Sequence, residues 1–212
     1  MAGFLDFNPD KVNYENERQN TPLPAGTYEM IIKSVEVRAT KGNNPHEYLN
    51  FDLVVRKDLD QVAELSKTNA KQHGRHVFVS VWTLKDDAGN DSGKYDPKVL
   101  SHIAKVAGLP AINFNSIQEY MNALFNKPIR ASVTIRENEY QGQKQKQNES
   151  TPIYFKKGAT KPSYIGWYQT KYPLQAAMQQ QLAESNPATK GGQDPFPTNE
   201  GTQTLSDKDL PF

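Results

Sequence analysis

Between Tyr154 and Tyr172 the chain interleaves Tyr154, Tyr164, Trp167, Tyr168 and Tyr172 with Lys156, Lys157, Lys161 and Lys171, and no acidic residue interrupts the run. Lysines neutralise phosphates, and aromatic rings offer faces on which any base can stack. This pattern points to a nucleic acid strand; the alternative is a strand and loop that pack their rings on the barrel. A second set lies upstream. Tyr48, Asn50, Arg56, His76, Phe78 and Trp82 fall opposite a Leu/Val face on two alternating segments. Solvent-facing rings on a sheet need a cover, and bases are one suitable cover. Helices or the N-terminal arm are another, and both readings stand open here. The connection before Val77 holds Lys57, Lys67, Lys71, His73 and Arg75, with Asp58, Asp60 and Glu64 offsetting its first half. A later polar stretch adds Tyr140, Gln143, Lys144 and Lys146. Each basic stretch has a plainer reading as a solvated loop.

Catalytic sets are missing from the sequence. Carboxylates are scattered rather than paired, so no two-metal ligand set is visible. His73 and His76 are three apart, with no third ligand to complete a metal site. Asp86, Asp87 and Asp91 lack the spacing of a calcium loop. There is no phosphate-cradling Gly-rich loop and no nucleophile elbow. The expected chemistry is binding: no catalytic residue, no metal, no cofactor.

The elements that would position these residues follow from periodicity. Residues 1–25 read as a polar arm with Phe4, Leu5 and Phe7 as anchors. Pro22, Pro24 and Gly26 punctuate entry to a strand over Tyr28–Val37. A turn at Thr40–Pro45 precedes a strand over Tyr48–Arg56, in which Leu49, Phe51, Leu53 and Val55 share one face. Val77, Val79 and Val81 form the inner face of a third strand. Asp86–Asn90 reads as a loop. Asp96 caps a helix with Pro97 in its first turn and Gly108 at its end. Ser116 and Glu119 have capping-box spacing for a second helix. Ile129 opens a fourth strand, Asn138–Ser150 reads as a polar loop, and Ile153–Phe155 as a short returning strand. Leu174–Glu184 reads as a weak Gln-rich helix, followed by a flexible tail from Ser185.

This order predicts a mainly β fold: a five-stranded OB-like Greek-key barrel with helices between strands three and four. A β-sandwich is the alternative. The implied organisation is an arm over 1–25, an OB-like domain over 26–172, and a weak helix and tail over 173–212. At 212 residues, 36% apolar and 23% charged, with mean hydropathy −0.78, the chain has a modest core for its length. Its net charge of +1 gives no global signal for nucleic acid, so local distribution decides. Absence of cysteine fits a reducing cytoplasm. No apolar run approaches the ~20 residues of a membrane helix. Homo-oligomerisation stays open.

The chain stops on Asp207-Lys208-Asp209-Leu210-Pro211-Phe212. A polar run ending on apolar side chains and a carboxylate has the chemistry of a peptide bait: a ring for a pocket and charge for a basic rim. The tip resembles the acidic C-terminal tip of bacterial-type single-stranded DNA-binding proteins. That resemblance implies docking of Asp207, Asp209, Leu210, Pro211 and Phe212 on replication and recombination proteins. Lys208 departs from the pattern, and Asp194, Glu200, Asp207 and Asp209 against Lys190 and Lys208 leave the tail only −2 in side-chain charge. The weight therefore falls on the last three residues.

The body of the chain also resembles a family. Phe4-Leu5-Asp6-Phe7, then Leu23-Pro24-Ala25-Gly26-Thr27-Tyr28-Glu29-Met30-Ile31-Ile32, the Thr40-Lys41-Gly42 turn and Tyr48-Leu49-Asn50-Phe51-Asp52-Leu53 are similar to phage-encoded single-stranded DNA-binding proteins. The resemblance implies an OB-like fold, sequence-independent ssDNA binding, and a part in phage DNA replication or recombination in the host cytoplasm. The runner-up is a recombination mediator or adaptor whose barrel mainly binds protein.

Overall fold

The computed structural model describes residues 21–140 and 143–174, with Tyr140 and Gln143 described by backbone alone. Its organising strand is β1 (Gly26–Ala39), fourteen residues long. Residues 26–31 pair antiparallel with β5 (Pro128–Tyr140), and residues 30–39 pair with β2 (Glu47–Val55). The register shifts between Ile32 and Ser34, leaving Lys33 as a bulge. A bulge bends and twists its strand, so one strand serves two differently oriented neighbours. Beyond β2 lie β3 (His76–Lys85) and β4 (Asp91–Tyr95), and beyond β5 lies β6 (Gln143–Glu149).

Three short strands complete the set among the described residues: β7 (Ile153–Tyr154), β8 (Tyr164–Ile165) and β9 (Trp167–Gln169). The main sheet runs β4-β3-β2-β1-β5-β6, with β9 also on β5; β7 and β8 pair separately. The fold is thus mainly antiparallel β with few helices. The expected five-stranded barrel is thereby corrected: β4 adds a strand before the helices, and the ladder does not close, because β3 and β6 approach each other without a hydrogen-bonded pairing between them.

Two expectations need correction. Asn138–Ser150 is not a loop but mostly the β5–β6 ribbon. Its fifth strand is β6, and Ile153–Tyr154 pairs with Tyr164–Ile165 instead. The ribbon has no apolar face, so no alternation marks it. Its backbone ladder holds it, with exposed cross-strand pairs such as Lys146–Glu137 at 3.4 Å and Arg136–Glu149 at 3.7 Å.

The helices follow their end signals. In α2 (Pro97–Val106) the Asp96 carboxylate accepts from the Lys98 N–H at 2.8 Å, and Gly108 has φ 72° just past the end. In α3 (Ile117–Leu124) the Ser116 hydroxyl accepts from the Glu119 N–H. The Glu119 carboxylate accepts from the Asn115 N–H at 2.8 Å, one residue before the usual box partner Ser116. Tyr120 donates to the Leu100 carbonyl and fastens α3 to α2. The inner sheet face, Ile103, Val106, Tyr120, Met121, Leu124, Leu23 and Trp167 form one buried core. The segment before β2's partner strand β3 holds a one-turn helix, α1 (Asn69–Gln72), whose buried Asn69 amide satisfies the backbone of Glu29 and Arg56.

The unladdered β3–β6 gap is strapped by residues 21–25. Leu23 is buried in the core. Its N–H donates to Asn148 Oδ1 at 2.7 Å, and its carbonyl accepts from Asn148 Nδ2 at 2.8 Å. On the other side the Arg75 guanidinium donates to the Thr21 carbonyl. At the far end of the sheet Asp91 does similar work. Its carboxylate accepts from the N–H of Glu47 at 2.6 Å and of Gly93 at 2.8 Å.

Two predictions follow from these fasteners. Asn148→Ala leaves two Leu23 backbone groups unpaired and lowers unfolding free energy by about 1–3 kcal/mol in denaturant titration. Asp91 is held down to about 2 from 3.8 by the Thr83 hydroxyl and by the Glu47 and Gly93 N–H groups. A folded-state value below the unfolded one stabilises at higher pH, and that contribution disappears as pH falls from about 4 through 2. An NMR carboxyl titration of Asp91 with its midpoint at the ordinary value would contradict this.

Candidate nucleic-acid interface

The pleat of β3 sets the site. Val77, Val79, Val81 and Thr83 point inward and are buried, so His76, Phe78, Ser80, Trp82 and Leu84 point outward and are exposed. Phe78 is 59% exposed and Trp82 44%, values that leave ring area open to a ligand. β2 registers against this row with Tyr48 opposite Trp82, Asn50 opposite Ser80 and Asp52 opposite Phe78. The half-buried Tyr48 ring lies 4.5 Å from the Trp82 ring, and His46 lies 5.0 Å from it. His46 is itself fixed by its Nε2, 3.0 Å from the Thr83 carbonyl oxygen. At the other end His76 stacks on Phe78 at 6.2 Å and holds Asp52 at 2.7 Å. The outer row therefore has two aromatic stations, Trp82 with Tyr48 and His46, and Phe78 with His76. Four strand residues separate them by ~13 Å.

The Phe78 station opens into a cleft of 570 Å³ between β3 and β6. Arg75, Lys146 and Asn148 share its wall with Phe78, and Thr21 and Pro22 line it from the strap. Arg75 also donates to Gln72 Oε1 at 2.7 Å. Three residues read from the sequence, Arg75, Phe78 and Lys146, thus converge although they lie far apart in the chain. Lys71 is exposed on α1, lining an adjoining cleft that also includes Arg75. Lys144 is exposed on β6. The side chain of Tyr140, and all of Asp207, Asp209, Leu210, Pro211 and Phe212, lie outside the described residues, as does the weak helix beyond Leu174.

Two site residues are corrected. Arg56 is 2% exposed, and its guanidinium is spent inside the protein. It makes a two-pronged pair with Asp58 and donates to Thr170 Oγ1 and the Tyr172 carbonyl. This network continues to buried Glu29, whose carboxylate accepts from Thr170 Oγ1 and the Lys171 N–H. Trp167 is fully buried against Phe51, edge to face at 5.4 Å, with its indole N–H donating to Ser150 Oγ at 2.9 Å. Both belong to the framework that docks β9, and neither is open to a ligand. Asn50 is buried as well.

The Lys/aromatic segment is split by this docking. Tyr154 and Tyr164 face each other on the β7–β8 pair, both exposed, with Lys156, Lys157 and Lys161 exposed on its turn and Lys171 exposed beyond β9. That pair packs against α2, where Lys98 sits 5.1 Å over the Phe155 ring. The β2–β3 stations lie on other strands, so the sequence run is a separate patch rather than an extension of them. Reading the sequence missed His46 and Asn148. A His two residues from Tyr48 on the same strand parity was the available signal for the first; nothing local marks the second. Among the described residues no group of three His, Asp or Glu side chains could hold a metal ion, and no helix is long and apolar enough to cross a membrane.

Comparison with known proteins gives one firm result. No curated protein matches this chain. A solved structure of yeast RPA bound to ssDNA is similar at 7% identity over 85% of this chain and 89% of that one, with a TM-score of 0.32, too low to establish a shared fold. Residues 7–169 match the family described as "Protein of unknown function (DUF669)", and the chain belongs to that family.

Proposed function

We propose that this chain is a non-enzymatic module that binds single-stranded DNA without sequence preference, on an OB-like, partly open arrangement of β1, β2, β3, β5 and β6. The observation that carries this reading is the pair of exposed aromatic stations on the outer face of β3, ending at the Arg75–Lys146 cleft. Stacking on such rings tolerates every base and contributes roughly 1–3 kcal/mol per base. The order β1-β2-β3, helices, β5-β6 has the sequence of an OB topology, in which the second and third strands bind oligonucleotides, with β4 added before the helices and short strands after β6. The setting, protection of a strand during phage DNA replication or recombination in the bacterial cytoplasm, comes from the resemblance. So does recruitment of partners by Leu210, Pro211 and Phe212.

One observation favours a second reading, a recombination mediator or adaptor that mainly binds protein. An apolar groove of 790 Å³ runs between α2 and α3, walled by Leu100, Leu109, Phe114 and Ile117, with Ile112 51% exposed at its edge. Such a groove suits a peptide better than a nucleotide.

Fluorescence separates the two readings. The chain has two tryptophans, and Trp167 is buried, so quenching by a ligand reports Trp82. Oligo-dT is expected to quench it, and Trp82→Ala to weaken binding by about 1–3 kcal/mol without changing the circular dichroism spectrum. Unquenched Trp82 at saturating oligonucleotide would leave the adaptor reading in possession.

A further inference from the structure

The Trp82 end of β3 leads to a cationic surface of its own. Thr83 registers against Tyr95 on β4, and α2 begins two residues after Tyr95. From Trp82 to Lys98 the path is one residue along β3, one strand spacing and three residues of chain, so their Cα atoms lie within ~20 Å. Lys98 in turn sits 5.1 Å over the Phe155 ring, and β7 packs on α2. The β7–β8 pair is therefore fixed beyond the Trp82 station, as the Arg75–Lys146 cleft is fixed beyond the Phe78 station.

This surface carries charge without counter-charge. Lys94 on β4, Lys98 on α2, and Lys156, Lys157 and Lys161 on the β7–β8 turn are all exposed. Among the described residues none of these lysines pairs with a carboxylate. The acids on that path, Asp91 and Asp96, accept backbone N–H groups instead: Asp91 from Glu47 and Gly93, Asp96 from Lys98. Asp86 and Asp87 lie at the opposite end of the β3–β4 hairpin. Unpaired cations so gathered raise the local concentration of anions. Rings lie among them. Tyr154 and Tyr164 stand directly opposite each other, 53% and 43% exposed. Ile153, on the other face of β7, is buried, and that turns the tyrosines outward. Tyr164 rests on Gly166, where a Cβ would stand 2.8 Å from the ring. A polyanion without bases can use only the lysines, whereas a single strand can use lysines and rings together.

We infer that a single strand lying on Phe78 and Trp82 continues past Lys94 and Lys98 onto the β7–β8 pair. There Lys156, Lys157 and Lys161 meet phosphates and Tyr164 takes a base. The continuity with β3 rests on the ssDNA reading; the β7–β8 contact rests on its own residues.

Oligo-dT of two lengths tests this on the full chain. One of about 5 nucleotides is short enough to stay on the β3 stations, and one of about 20 exceeds the roughly 4–16 nucleotides that an OB fold covers. Both are titrated by Trp82 quenching at several salt concentrations. The triple change Lys156→Gln, Lys157→Gln and Lys161→Gln is expected to make the log–log salt slope for the long oligonucleotide shallower by roughly 2, at about 0.7 per phosphate, and to leave the short one unchanged. Tyr164→Ala should weaken the long one alone, by about tenfold. Quenching by both lengths, with slopes that the triple change does not move, overturns the extension and leaves the β3 reading standing. An equal change at both lengths overturns it too, since that is a general field and not a contact. If the long oligonucleotide binds by anisotropy without quenching Trp82, and the triple change removes that binding, the β3 reading and the continuity fall and the β7–β8 contact stands. Poly-glutamate bound as tightly as the long oligonucleotide, and released by the same change, would assign the surface to acidic protein and overturn the proposal.

Discussion

The two-residue pleat of β3 is the constraint on which the rest depends. Three valines are buried on its inner side, and a shift of one residue would send them to solvent and Phe78 and Trp82 into the core. Burying those valines therefore also decides that an unbroken row of ring-bearing and small polar side chains faces outward. The β2 register then brings Tyr48 against Trp82, and the turn into β2 brings His46. The surface proposed to bind DNA is the obligatory reverse of the core.

The other fasteners keep that row in place. β1 is bent at Lys33 and feeds two neighbours, so β5 and β6 turn back toward β3 without pairing with it. The gap left there would expose unpaired strand edges, a hazard natural sheets cover. Here the cover is a strap of chain held by Asn148 and Arg75, and the Lys-rich β6 edge discourages pairing with another copy. The same gap provides the cleft where charge meets a ring. An imperfectly closed sheet and a cationic cleft are two descriptions of one feature.

What could be read from the sequence follows from what was periodic in it. β2 and β3 alternate cleanly because each has one buried face, and the caps of α2 and α3 announce themselves within four residues. The β5–β6 ribbon from Asn138 onward is illegible because the side chains there are polar on both faces, whereas the buried Ile129, Ala131 and Val133 mark the start of β5; only its pairing makes the rest a strand. Trp167 was misread for a related reason. It sits in a run of lysines and tyrosines, and what buries it are Ser150 and Phe51, seventeen and more than a hundred residues away. Arg56 reads as an outward-facing binding residue at a strand end, but beside its near neighbour Asp58 its partners Thr170 and Tyr172 come from the far end of the described chain. Long-range satisfaction of a single polar group leaves no local trace.

On the proposed reading, stacking on an open sheet face, with cations at one end, selects a single strand. A duplex hides its bases and offers only phosphates, so it can use Arg75 and Lys146 but not the rings. Competition against a labelled oligo-dT measures this directly. Unlabelled oligo-dT should displace the probe at a concentration at least ~10-fold lower than duplex of equal length, since one stacked base at ~1.4 kcal/mol accounts for that factor. Equal displacement by duplex and single strand would contradict the account.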